Sequence, residues 1–392
     1  MKKLLLTLGV LAGLLMSGPA GAQPMPQPPE IAARSYLLLD LTSNQQLAAK
    51  EADEPVPPAS LTKLMTAYLV FDALRLGKLE LKQALPVSER AQRQPGSRMF
   101  LEAGMKVPVE DLLKGLLVQS GNDAAITLAE GAAGSEERFV QLMNEQAQAL
   151  GMKATHFVNP TGLTQSGHLS TARDLALLAT RLLRDFPDYA YLHAIRKYNY
   201  AGTPPANDSN RNLLLFRDPS VDGLKTGHTE AAGYCLIATA QREFPNLGPD
   251  GAAGPRRLLA VVLGTDSESA RAGETQKLLN WGYTAFEAVK LFDANQAVLS
   301  PKVWKGTSAH ARLGWPQPVV VTVPAGSASH LRTEVVRPEP LVAPLAKGQV
   351  AGVLKIYVGE QSLVQIPLKA LESVEEAGLM GQAWDAFRLW IQ

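Results

Sequence analysis

Apolar positions along the chain change their spacing twice. From Leu61 to about Leu183 they recur at helical intervals, each segment offering one face to a core. The segments LTKLMTAYLVFDALRLG, VEDLLKGLLVQ, AAITLAEGAA, EERFVQLMNEQAQALG and TARDLALLATRLLRDF carry this pattern, and several stop at Gly77, Gly151 or a proline. Ahead of them, SYLLLDLTSNQQLAAKEAD predicts a hairpin, with an apolar strand from Ser35, a turn at Thr42-Ser43-Asn44 and a return strand. Beyond Leu224 the runs GYCLIATAQ and RRLLAVVLGT read as strands, and RAGETQKLLNWGYTAFEAV as a further helix. Strands at both ends with helices between them predict an α+β fold over residues 30–292, one antiparallel sheet packed on a helical cluster.

The second change comes near Asp293. QPVVVTVP, RTEVVRP, VAGVLKIYV and LVQIPL are short strand patterns separated by Pro and Gly, which predicts a small all-β domain over 293–372. The tail 373–392 places Met380, Trp384, Phe387 and Ile391 on one helical face. Such a helix either docks on the β domain or lies amphipathically in the outer layer of a membrane, and tryptophan beside a chain terminus favours the membrane. At the other end, Lys2 and Lys3 precede an apolar stretch that closes on Ala20-Gly21-Ala22, the pattern of a cleaved signal peptide over 1–22. A proline-rich spacer, 23–29, follows. Export to the periplasmic face of a bacterial inner membrane, with peripheral attachment, is the expected location.

Composition narrows the partners. With 38 Lys+Arg against 37 Asp+Glu, the chain has no field suited to nucleic acid. Cys235 is the single cysteine, so no internal disulfide forms, and the six histidines show no ligand spacing. No metal or cofactor is expected.

The chemistry begins in PASLTKLMTAYLVF, where Ser60 and Lys63 interrupt an apolar helix three residues apart. Residues i and i+3 share a helix face, so the amine can reach the hydroxyl. Pro57 and Pro58 suit a helix start, which sets the hydroxyl near unpaired backbone N–H groups. Buried among Leu61, Leu64 and Met65 and near a second cation such as Lys225, Lys63 would hold its proton weakly enough to act as the base for a serine nucleophile. Ser120-Gly121-Asn122 sits in a loop after VEDLLKGLLVQ, where two polar side chains can face one cleft. Lys225-Thr226-Gly227 follows the turn Asp222-Gly223 and enters a β run, so it is expected on a strand beside that cleft, its glycine letting a substrate backbone approach.

The order S-x-x-K, S-x-N, K-T-G, each occurring once, resembles the serine β-lactamases and penicillin-binding proteins. With SGN in the second motif, and with SGNDAA, TARDLA, VDGLKTGHTEAAGY and R-x-x-E-x-x-KLLNWG, the chain is similar to the low-molecular-mass penicillin-binding proteins, the serine D-alanyl-D-alanine carboxypeptidases, over nearly its whole length. The resemblance implies that Ser60 is acylated by the penultimate D-alanine of peptidoglycan stem peptides, and by β-lactam antibiotics as covalent inhibitors. It implies that Lys63 is the base, that Ser120 relays a proton to the leaving amine and that Asn122 holds the substrate's backbone amide. Lys225 would keep the cleft positive, Thr226 and Arg271 would grip the terminal carboxylate, and the N–H groups of Ser60 and His228 would form the oxyanion hole. Arg256, Arg257 and Arg271 are all candidates by sequence distance, and Arg271 is chosen for its place before the E-x-x-KLL helix. The His228 side chain is expected to cover the site, and Asp174 to order a loop or cap a helix.

Three other activities fit parts of this pattern. A serine β-lactamase needs a water-activating glutamate, but the glutamates between the second and third motifs, Glu130, Glu136, Glu137 and Glu145, fall in expected helices and NPTGLTQSG has none. A D,D-endopeptidase would use the same groups, and a non-catalytic cell-wall scaffold would need neither nucleophile nor base.

Overall fold

The computed structural model describes residues 25–248, 251–379 and 384. The expected signal peptide and nearly all of the apolar face proposed for the tail lie outside the described residues. The described residues form two compact units, one of residues 26–294 together with 317–325, the other of Met25, 295–316 and the described residues from 326 onward.

The larger unit is built on an antiparallel sheet of β1 (Ser35–Asp40), β2 (Gln45–Lys50), β3 (Val221–Thr229), β4 (Gly233–Phe244) and β5 (Gly254–Thr265), in the order β2-β1-β5-β4-β3. Side chains alternate across its two faces. Leu37, Leu259, Val261, Leu263 and Ile237 join the helical core, whereas Leu38, Leu258, Ala260, Val262 and Leu236 pack in a second core with Leu278, Leu279 and Tyr283. Both faces are covered, which is why GYCLIATAQ and RRLLAVVLGT read as continuous apolar runs. β3 is an edge strand, paired through Lys225↔Ile237 and Gly227↔Cys235 to β4 alone.

The longer helices of this unit are α1 (Lys63–Arg75), α2 (Val109–Leu117), α3 (Asn122–Ala133), α4 (Glu136–Leu150), α5 (Ala172–Asp185) and α6 (Glu268–Ala285). Ser135, Thr171 and Ser267 cap α4, α5 and α6 by accepting from the N–H groups of Arg138, Asp174 and Ala270. α1 is the central helix, buried from Lys63 through Tyr68 and again at Val70 and Phe71. An apolar residue is therefore expected on nearly every side of it, and polar ones there carry information.

One expectation is corrected. FEAV does not continue α6, because Phe286–Phe292 is a strand. Its antiparallel partner is Val319–Pro324, a strand of the β-rich stretch that packs in the larger compact unit. The reason is a buried polar knot that periodicity cannot reveal. The Asp40 carboxylate, fully buried, accepts from Arg256 Nε at 2.8 Å and from Thr322 Oγ1 at 2.7 Å. The Thr322 backbone pairs with the Gln45 side chain through N–H to Oε1 at 2.7 Å and Nε2–H to O at 3.0 Å. A buried ion pair left without hydrogen bonds is costly, and this strand supplies one.

In the smaller unit a five-stranded sheet runs in the order Leu331–Val336, Val350–Val358, Gln361–Ala370, Leu313–Gly314, Ala297–Leu299. Leu313, Leu354, Ile356 and Leu368 are its fully buried apolar residues. No helix among the described residues is long and apolar enough to cross a membrane.

Candidate active site

Ser60 lies in a turn of 3-10 helix, Ala59–Thr62, that runs directly into α1. Sequence spacing predicts an α-helical turn here, and the difference matters. In a 3-10 turn side chains at i and i+3 eclipse, so the Lys63 amine is stacked over Ser60, with Nζ 3.0 Å from Oγ. The turn opens on Ala59 in the left-handed region, at φ +48°. Two glycines permit this geometry. A Cβ on Gly162 would stand 1.9 Å from the Ala59 carbonyl oxygen, and one on Gly227 would meet Pro58 O at 3.2 Å. The bare Cα of Gly227 therefore makes room for the nucleophile turn as well as lining the cleft.

Lys63 is completely buried, and its amine meets three oxygens: Ser60 Oγ, Asn122 Oδ1 at 2.7 Å and the Thr161 carbonyl at 2.5 Å. Burial lowers its pKa to about 7, with Arg211 adding to the fall and the Asp123 carboxylate opposing it. Thr161 is held in turn by Asn159, whose Oδ1 accepts from Thr161 N–H, Thr161 Oγ1 and Gly162 N–H. His168 fixes the same loop to the nucleophile turn. Val158 N–H donates to its Nδ1 at 3.1 Å, so Nε2 carries the hydrogen and donates to Thr62 Oγ1 at 2.8 Å. Desolvation pushes this imidazole down to about 4, so it stays neutral.

Ser120 and Asn122 flank Gly121 at the start of α3. Ser120 adopts φ +63°, and its buried hydroxyl has no hydrogen-bond partner among the described residues. The Asn122 amide gives one hydrogen to Pro95 O at 2.6 Å while its oxygen takes one from Lys63, leaving the second N–H for a ligand. Asp123, quoted in SGNDAA without a role, anchors the neighbouring loop: its carboxylate accepts from Met99 N–H and Leu101 N–H.

Across the cleft is the edge strand β3. Lys225 is buried, donates to Thr226 O at 3.0 Å and is pushed well below the usual lysine range by burial, then by Lys63, Arg211 and Arg271. His228 stacks on Tyr234 with ring centres 4.0 Å apart. The three arginine candidates separate cleanly. Arg256 is locked to Asp40, Arg257 pairs with Asp222 at 2.8 Å, and Arg271 alone of the three lines the cleft. Arg271 donates to Glu268 Oε1 at 2.9 Å, Arg211 O at 3.2 Å and Gly227 O at 3.4 Å.

Ser60, Ser120, Asn122, Thr226, Gly227, His228 and Arg271 thus border one cavity of about 440 Å³, with Lys63 and Lys225 buried behind its lining. Sequence reasoning missed Thr161, His168, Asp123, Arg98 and Arg211. Of these, the Asn-Pro-Thr-Gly turn pattern was the one available signal. Among the described residues no group of His, Cys, Asp and Glu is placed to hold a metal ion.

A family model described as D-alanyl-D-alanine carboxypeptidase matches residues 22–266, and one described as penicillin-binding protein 5, C-terminal domain, matches 286–376. The D-alanyl-D-alanine carboxypeptidase DacC of Escherichia coli K12 is 39% identical over 91% of this chain and 88% of its own length. DacF of Bacillus subtilis is 34% identical over 97% and 96%. The crystal structure of penicillin binding protein 5 from Haemophilus influenzae superposes with a TM-score of 0.81 at 34% identity, covering 89% of this chain and 99% of that one. The convergence of the three motifs on one cleft and these full-length likenesses agree: the chain belongs to the D-alanyl-D-alanine carboxypeptidase family of serine peptidases.

Proposed function

We propose that this protein is a serine D-Ala-D-Ala carboxypeptidase that removes the terminal D-alanine from peptidoglycan stem peptides through an acyl-enzyme on Ser60, and that penicillins acylate the same hydroxyl. The observation that carries the reading is the Lys63 amine, buried, 3.0 Å from Ser60 Oγ and with a pKa lowered to about 7. A neutral amine has two hydrogens and one lone pair. With the hydrogens directed at Asn122 Oδ1 and Thr161 O, the lone pair is left for the Ser60 hydroxyl hydrogen. Ser60 Oγ then attacks the carbonyl of the penultimate D-alanine as Lys63 takes the proton.

The oxyanion forms against the N–H groups of Ser60 and His228, donors of a kind commonly worth about 3 kcal/mol each. Ser120, its hydroxyl otherwise unpartnered, relays the proton taken up by Lys63 to the departing D-alanine amine, which leaves as the neutral amine and returns Lys63 to its neutral form. The free N–H of Asn122 holds the acyl part. Thr226 and the Arg271 guanidinium take the terminal carboxylate, and Lys225 supports that positive end of the cleft. Water, activated by the Lys63 amine, releases the acyl group.

The cleft lining favours slow hydrolysis of a penicilloyl adduct. Among the described residues its single carboxylate is Glu268, which is engaged by Arg271, while Glu130 and Glu136 line a separate groove. A labelled adduct is therefore expected to outlast a second, and faster loss would mark a β-lactamase. Whether cross-links are also cut depends on what the cleft rim admits. We further propose attachment to the periplasmic face of the inner membrane through the tail helix; truncation after Ser373 should free the protein from membranes while activity persists, and a truncated form that stays bound refutes the anchor.

The deciding experiment measures D-alanine release from a peptide ending in D-Ala-D-Ala, with mass spectrometry of the penicillin-treated protein. Release together with an adduct on Ser60 is expected. An adduct on another residue removes the assigned nucleophile, and neither release nor adduct would leave a non-catalytic scaffold.

A further inference from the structure

We propose that Arg98 is a specificity residue that binds a carboxylate on the side chain immediately upstream of the D-alanine that acylates Ser60. The inference rests on the carboxypeptidase reading and names the donor peptides that site prefers.

Arg98 lines the cleft, and its guanidinium lies over the Phe100 ring at 5.1 Å. Its Nε is buried without a partner, and no carboxylate among the described residues pairs with it. Arginine is rarely drawn into a protein surface unless something answers its charge. Its neighbours on both sides are tied down. Ser97 O accepts from Asn122 N–H at 2.7 Å, Met99 N–H donates to Asp123 Oδ1 at 2.9 Å, and Thr203 Oγ1 donates to Met99 O at 3.0 Å. The side chain is therefore presented from a fixed backbone anchored on the helix that supplies Asn122.

Direction along the cleft gives the ligand its identity. The terminal D-alanine carboxylate goes to Thr226 and Arg271 on the sheet side, where Glu268 already answers part of the charge. Arg98 stands on the Asn122 side, beside the acyl portion. A guanidinium with its outer donors free and its Nε desolvated suits a planar anion, and a carboxylate is that anion in a peptide.

The test uses two peptides ending in D-Ala-D-Ala that differ only in the upstream side chain, one bearing a carboxylate and the other its primary amide. The wild-type enzyme should favour the acid roughly tenfold in kcat/KM, the worth of one charge-assisted hydrogen bond. R98Q should bring the ratio near one, R98K should keep part of it, and R98E should invert it. Equal kcat/KM for both peptides with the wild type overturns the proposal whatever the variants do. So does a ratio that survives R98Q, or one that collapses in R211Q instead. If R98Q does not fold, the wild-type ratio and R98K decide. Absence of D-alanine release from either peptide by the wild type brings down the carboxypeptidase reading itself, a result distinct from equal release.

Discussion

On the helical side of the cleft, polar groups are held away from their comfortable states. Ser120 carries a left-handed backbone and an unpartnered hydroxyl, and Lys63 lies in a desolvated pocket that favours its neutral form. On the sheet side the groups that face the cleft, Arg271 on three acceptors and His228 on a stacked ring, are settled before any ligand arrives, and the perturbed Lys225 is buried behind them. The difference teaches where reactivity and recognition reside. Perturbed groups move protons, and satisfied ones offer a rigid surface to bind against.

Substitutions should therefore cost rate on one side and affinity on the other. The largest effect belongs to Ser60→Ala, expected to remove penicillin labelling and to lower kcat by about 10⁴-fold or more, as nucleophile deletions do. Labelling at the wild-type rate would show that another residue is acylated. Lys63→Ala should still bind penicillin non-covalently but acylate about 10³-fold more slowly, measured by stopped-flow. Gly162→Ala drives a methyl group into the Ala59 carbonyl and should slow acylation about a hundredfold by displacing the nucleophile turn. Arg271→Gln, on the sheet side, should raise KM roughly tenfold while kcat changes less. A kcat loss equal to that of Lys63→Ala would erase the distinction between the walls.

The smallest effect concerns pH. Neutral Lys63 is the base, so kcat/KM should fall as pH drops through about 7. Arg211 depresses that pKa, so Arg211→Gln lets Lys63 hold its proton more tightly and moves the acid limb to higher pH by a few tenths of a unit. A shift toward lower pH would contradict the assignment of the limb to Lys63.

Much of this was legible in the chain. Helical periodicity located α1 to α5 to within a few residues, since each buries one continuous face, and the three motifs marked residues that the structure gathers around one cavity. What escaped was non-local. The Thr161 carbonyl that receives Lys63 carries no side-chain signature, because any residue has a carbonyl there. The partnership of Val319–Pro324 with Phe286–Phe292 depends on a buried Asp40–Arg256 pair whose members are far apart in sequence. Nothing in the sequence marks Arg98, whose place in the cleft lining depends on anchoring bonds made by its neighbours.

The excursion of the chain at 317–325 bears on how the gene can be shortened. The polypeptide passes between its units at 294/295, 316/317 and 325/326, so they are threaded together instead of strung in series. A stop codon at Asn295 would not liberate an intact hydrolase. It would unzip Phe286–Phe292 and deprive Asp40 of the Thr322 hydroxyl, undermining the sheet from the edge farthest from the nucleophile.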